Sequence, residues 1–408
     1  MTGFRRILLV IAATAGLAAG AWAEGIFPVN DRGSGIWVFD QPSVVASGTV
    51  LHVAFVGNSA AGADSADTRL FYAAVNGGAD FANKSTTDSQ VRLTAPVAID
   101  NGDAYANARH PQIVARSATL LEILFQAIPS GETDSKLFHA LISIGSNAVT
   151  SQRVAEIRDA AGARIPGRLT DPTFGIVTSD NTLRIAFSSF PSLVAGSPYS
   201  DVYYARVGSD NTRVVGNPIL LTKLYPPVST ASSAGVFPLP RLRLDSNKNI
   251  HIAWAANNSA GISTPTGIYY AMVKTVPSSV VDNLAIGATQ ILAGGYRWGF
   301  PNVLVQSPNN VWVVAADEPP AGTAGLAGAL GITELNPYAV THDGNPVNVN
   351  NLGRNSLFYL NPPGGSVLSS DFDTSRPEAI LDPQTQNRVH ISGYGFRGDP
   401  PLYQGTPG

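Results

Sequence analysis

Short runs of alternating apolar and polar residues fill most of this chain, and one run keeps returning. Leu51–Phe55, Leu121–Phe125, Leu183–Phe187, Ile250–Trp254, Val311–Ala315 and Val389–Gly393 all place apolar side chains at their first and third positions. A period of two residues predicts a β-strand. Nine to twelve residues before each run stands a proline that opens a shorter apolar strand: Pro42, Pro111, Pro172, Pro240, Pro301 and Pro377. An aromatic strand follows most of the runs, at Leu70–Ala73, Leu137–Ala140, Val202–Ala205 and Ile268–Ala271, with Tyr338–Val340 and then Leu402–Tyr403 in the last two repeats. A fourth apolar segment closes most repeats, as at Val91–Ile99, Arg213–Leu221 and Ala285–Leu292.

Six units of four antiparallel strands predict an all-β chain, a six-bladed β-propeller. A small sheet that is apolar on both faces cannot bury itself, so it stacks on copies of itself, and a ring leaves no exposed terminal copy. The sixth repeat reaches Gly408 just after its third strand, while residues 25–40 hold a spare strand-like stretch, Gly35–Phe39. The expectation is that this N-terminal strand completes the last blade.

Composition fits many short strands joined by turns: 40 glycines, 29 prolines and only 13% charged residues. Residues 1–23 read as a secretory signal peptide, with Arg5 and Arg6 before an apolar stretch and Ala21-Trp22-Ala23 as the cleavage site. Arg5 and Arg6 also fit a twin-arginine export signal. Residues 24–408 are then one exported propeller domain, periplasmic or secreted, with no stable membrane anchor. A net charge of -3 without basic clusters argues against nucleic acid as a partner. The absence of cysteine excludes disulfides, thiol catalysis and cysteine zinc sites. No phosphate-binding glycine loop, G-x-S-x-G or H-E-x-x-H occurs, so no cofactor is expected.

Strand order puts two kinds of connection at opposite ends of each repeat. Turns between strands one and two are short. Loops between strands two and three are long: 57–68, 128–136, 188–201, 256–267 and 317–336. Long loops on a rigid scaffold favour binding at that end.

Repetition also sorts the polar residues, because a residue type that recurs at one repeat position serves the fold. His52, His251 and His390 share the second position of the recurring run with Glu122, Arg184 and Trp312, and His139 takes the place of Tyr72, Tyr204 and Tyr270. His110 falls outside that scheme. It directly precedes a repeat proline, beside Arg109, and the matching stretches hold Asp171, Arg297 with Trp298, and Arg376. Together these are the candidate ligand-binding residues, suited to a carboxylate or a sugar. Candidate catalytic carboxylates are Asp171, Asp317 and Glu318, since glycoside hydrolysis needs a pair of them across a sugar. Asp371 with Asp373, and Asp64 with Asp67, are weak calcium candidates without the glycine and distal glutamate of a dedicated loop.

The stretch Asp245–Trp254 followed by Ile268–Ala271 resembles the repeat of sialidase-superfamily propellers, and Asn76–Phe81 resembles their Asp-box turn. The resemblance implies a propeller and a setting among glycan-active proteins. The family's F/Y-R-I-P arginine is not matched; the nearest string, Ala163–Pro166, lies at the end of a repeat. Two readings follow: a binding propeller for a glycan or an extracytoplasmic protein, or a hydrolase or lyase acting on an acidic glycan.

Overall fold

The computed structural model describes residues 8–10, 26–28, 37–38, 42–47, 50–58, 68–76, 92–93, 97–100, 105–145, 148–177, 180–190, 193, 201–221, 239–256, 267–276, 282–293, 297–318, 329–340, 346–353, 378–381 and 389–392. For 8–38, 46, 58, 75–76, 92–93, 293–300 and everything from 316 onward it describes the backbone alone. The chain divides into two compact units. The first is Met1–Leu220 with Val276–Asp282, the second Leu221–Thr275 with Asn283–Gly408.

In the first unit, β1 (Leu8–Val10) pairs with β2 (Ile26–Pro28), across the expected cleavage point. A first sheet follows, from β3 (Trp37–Val38), β4 (Ser43–Ser47), β5 (Val50–Asn58), β6 (Arg69–Asn76), β7 (Arg92–Leu93) and β8 (Val97–Ala98). Here β3 and β4 share one edge of β5, while β7 and β8 share the far edge of β6. The second sheet runs β9 (Tyr105–Ser117), β10 (Leu120–Pro129), β11 (Lys136–Gly145), β12 (Ala148–Glu156). The third runs β13 (Arg168–Val177), β14 (Thr182–Phe190), β15 (Asp201–Val207), β16 (Ile219–Leu220).

The second unit repeats the plan. One sheet comprises β17 (Arg241–Leu244), β18 (Ile250–Ala256), β19 (Gly267–Lys274) and β20 (Asn283–Ala293). The next comprises β21 (Arg297–Ser307), β22 (Asn310–Glu318), β23 (Ala329–Val340) and β24 (Pro346–Gly353). A further antiparallel pair joins β25 (Glu378–Leu381) to β26 (Val389–Ser392). The fold is thus all-β, built from four-stranded antiparallel meanders in chain order. In the five larger sheets the recurring run lies in β5, β10, β14, β18 and β22, and Val389–Ser392 of the sixth run forms β26.

Alternation along β10 shows why the sheets stack. Leu121, Ile123 and Phe125 face a core shared with Ala54, Val56, Leu70 and Tyr72 of the first sheet. Leu124, from the other face, joins Phe174, Leu183, Ile185 and Phe187 of the third. Both faces of one sheet are therefore buried, each large apolar side chain contributing about 1.5–3 kcal/mol. In the second unit Ala253, Tyr270 and Met272 form the same kind of core with Val303, Val311 and Val313.

Two expectations are corrected. The N-terminal strand does not pair with the last repeat: Trp37 lies opposite Asn58 and Val38 opposite Gly57, on the first sheet. The reason is a mismatch in length. β4 covers β5 only from Val50 to Ala54, and β3 takes up the remaining edge. The third strand of the fifth meander is also not confined to Tyr338–Val340. Its ladder with β22 runs from Ala329 to Leu335. Asp317 and Glu318 consequently end β22, and the loop after them shortens to 319–328.

Candidate functional site

The repeat prolines mark a recurring irregularity in the first strand. In the second sheet Leu124 pairs with Gln112 but Gln126 pairs with Arg109, so His110 and Pro111 together oppose Phe125. In the third, Asp171 and Pro172 oppose Phe187 in the same way, and in the fifth Phe300 and Pro301 oppose Ala315. These are β-bulges, which tolerate proline because the ladder is already interrupted there. Before three of the repeat prolines the residue takes a left-handed backbone: φ is 49° at His110 and 53° at Asp171, both at bulges, and 43° at Leu239. That conformation costs a non-glycine residue about 1–3 kcal/mol and re-aims its side chain out of the regular alternation.

The two re-aimed polar side chains meet. His110 Nδ1 lies 2.6 Å from Asp171 Oδ1, joining consecutive sheets, with the histidine side chain 33% exposed and the aspartate side chain 0%. Asp171 is held on every side. Its Oδ2 accepts from Thr170 Oγ1 at 3.0 Å, and its backbone N–H donates to Gln126 Oε1 at 2.7 Å. Gln126 is itself buried and is the cross-strand partner of Arg109. A buried carboxylate with both oxygens engaged orients the imidazole; it does not reach a ligand. The more open group is His110.

Gln126 and Thr170 were not singled out from the sequence. A signal existed for Gln126: it follows the recurring run where the other repeats carry Val56, Ser188, Ala255, Ala316 and Tyr394, none of them an amide.

The remaining candidates divide by position. Arg109 is half-buried on β9, next to His110. Arg297 lies opposite Glu318 and Trp298 opposite Asp317 in the β21–β22 register, so four candidates occupy the long-loop end of one sheet. Arg376, Asp371, Asp373, Asp64 and Asp67 lie outside the described residues, as does His342.

The histidines that share a repeat position form a different feature. His52 Nδ1 is 2.7 Å from Tyr72 Oη, His139 Nε2 is 2.8 Å from Glu122 Oε2, and His251 Nδ1 is 2.6 Å from Tyr270 Oη. All are buried and bonded within their own sheet. Glu122 also pairs with Arg116, and His251 Nε2 lies 3.4 Å from Asp245 Oδ2. In the third sheet the slot holds Arg184, whose Nε contacts Asp282 Oδ2 at 2.8 Å and whose Nη2 contacts Asp180 Oδ2 at 2.8 Å. Tyr204 donates to Asp282 Oδ2 at 2.5 Å. Burial lowers the His52 pKa and raises that of Tyr72; burial and then the Asp282 carboxylate raise that of Tyr204. The side chain of His390 is not described.

No family model matches the chain, and no curated protein does. Solved structures similar to it include a protein of unknown function from Dyadobacter fermentans, at 11% identity and TM-score 0.48, covering 90% of this chain and 93% of the other. A polysaccharide lyase, an ulvan lyase bound to -[GlcA(1-4)Rha3S]-, matches at 12% identity and TM-score 0.45, over 88% and 78% of the two chains. A sialidase of Trypanosoma rangeli in complex with the inhibitor DANA matches at 8% identity and TM-score 0.44, over 87% and 52%. At these values the likeness assigns no chemistry to this chain.

Proposed function

We propose that this chain is an exported six-bladed β-propeller that recognises a glycan at the long-loop end of its blades, with His110 as the contacting residue. The observation that carries this is the His110–Asp171 contact, made by strained residues at matching bulges of consecutive sheets. Left-handed non-glycine residues persist where the surroundings enforce them, and they concentrate at binding sites. The loop asymmetry supports the choice of end. The turns between strands one and two span 48–49, 118–119 and 308–309 in three of the meanders, against 59–68, 191–200 and 319–328 for the loops between strands two and three in the first, third and fifth. Six proline-and-strand repeats and the shared cores of successive sheets support the blade count. The pattern of residues 1–23 supports export, and the repeat resemblance supports a glycan over a protein partner.

The test is retention of the full chain on a glycan array. His110→Asn keeps a residue that tolerates the left-handed backbone while removing the imidazole. We expect at least tenfold weaker retention with an unchanged Tm. Equal retention by the variant, or capture of no glycan at all, overturns the reading.

A further inference from the structure

We infer that His110 is a catalytic proton-transfer residue, positioned by Asp171, for β-elimination at a uronic-acid unit of a glycan. This rests on the glycan reading above and adds a reaction to it. The choice turns on what the Asp171 carboxylate does for the imidazole. A histidine meant to hold an anion is poorly served by a buried carboxylate 2.6 Å behind it, because the pair then has no net charge. One meant to take up a proton is well served, because the imidazolium forms against that carboxylate. Nδ1 is the ring nitrogen that lies against this carboxylate, which leaves Nε2 as the nitrogen for a substrate proton.

The same geometry selects the reaction. Two-carboxylate glycoside hydrolysis requires both carboxyl groups at the sugar. Asp171 is withdrawn, its oxygens engaged by His110 and Thr170. Elimination needs a single proton-transfer group. A sugar C–H becomes acidic enough for an imidazole only beside a carboxylate, which makes a uronate the substrate class. Nε2 takes the proton from the carbon next to the uronate carboxylate. That electron pair becomes a C=C bond to the neighbouring carbon, whose C–O bond to the leaving sugar breaks. The leaving oxygen regains the proton from the imidazolium, so atoms and electrons balance without a co-reactant.

The experiment incubates the full chain with polygalacturonate, alginate and glucuronan, and follows both retention and the ultraviolet absorbance of unsaturated uronosyl ends. We expect unsaturated product from the native chain and, at saturating polysaccharide, at least a roughly 100-fold slower rate in His110→Asn, the scale of a lost general base. Asp171→Asn preserves the left-handed residue; it should slow turnover and move the acid limb of the pH–rate profile to lower pH, which a purely structural role would not do. Retention without unsaturated product overturns the elimination and leaves recognition standing. Product formation indifferent to His110→Asn also overturns it. Failure to retain any glycan instead removes the recognition reading.

Discussion

In the first sheet His52 and Tyr72 meet at 2.7 Å, a neutral pair contained within one hairpin. In the third sheet the same two register positions hold Arg184 and Tyr204, and both turn to Asp282, which is distant in sequence although it belongs to the same unit. The second sheet is intermediate: Glu122 finds His139 across the hairpin and Arg116 on the neighbouring strand. One slot, between the second residue of strand two and its diagonal neighbour on strand three, thus accepts different chemistry in successive repeats. The neutral His52–Tyr72 filling closes within its hairpin, whereas the buried Arg184 takes Asp282, far along the chain, in addition to the nearby Asp180. The fifth sheet completes the series. Ile332 stands opposite Val314 where the others carry tyrosine or histidine, and Trp312 donates to Gln306 at 3.4 Å instead.

Three substitutions test how each filling of the slot contributes to stability. The largest effect is expected from Asp282→Asn, which removes the fully buried one of the two carboxylates beside Arg184; urea unfolding should show a loss of about 3 kcal/mol. Little or no loss would mean that Asp180 suffices and the distant partner is dispensable. Next comes Glu122→Gln, which weakens the bonds to His139 and Arg116 together; about 2 kcal/mol should be lost in the same assay. The smallest effect concerns the neutral slot. Burial holds the His52 pKa below 6.5, so the unfolded chain binds the proton more readily than the folded one. Stability is therefore fully present above about pH 6.5 and falls as pH drops below it. His52→Phe should flatten that acid limb, and an unaltered limb would move the acid sensitivity to another group.

Much of this architecture is legible in the residue pattern because it depends on period-two alternation, a local property. Leu51–Phe55 and its five counterparts mark second strands without any knowledge of their neighbours, and the sharing of position two by His52, Glu122, Arg184 and His251 already marks a slot. Choice of partner is not local. Trp37 and Val38 could be recognised as strand-like, but which edge they cover depends on β5 outrunning β4. The fifth repeat misleads for another reason: the part of its third strand that pairs with β22, Ala329–Leu335, lacks the aromatic residue that marks the others, and Tyr338 stands beyond it. His110 and Asp171 were both legible as candidates from their place before a proline. Their contact was not. It depends on a left-handed backbone that a following proline ordinarily disfavours and on the stacking of separate sheets.

The proline bulges carry one more consequence. In the second, third and fifth meanders the strand that bears the bulge is an edge strand. An edge of regular backbone invites a foreign chain to add itself, strand upon strand, into a fibril. A missing amide proton beside a reversed backbone turn breaks the template at mid-strand. The interruption that aims His110 therefore also makes its strand a poor seed for aggregation.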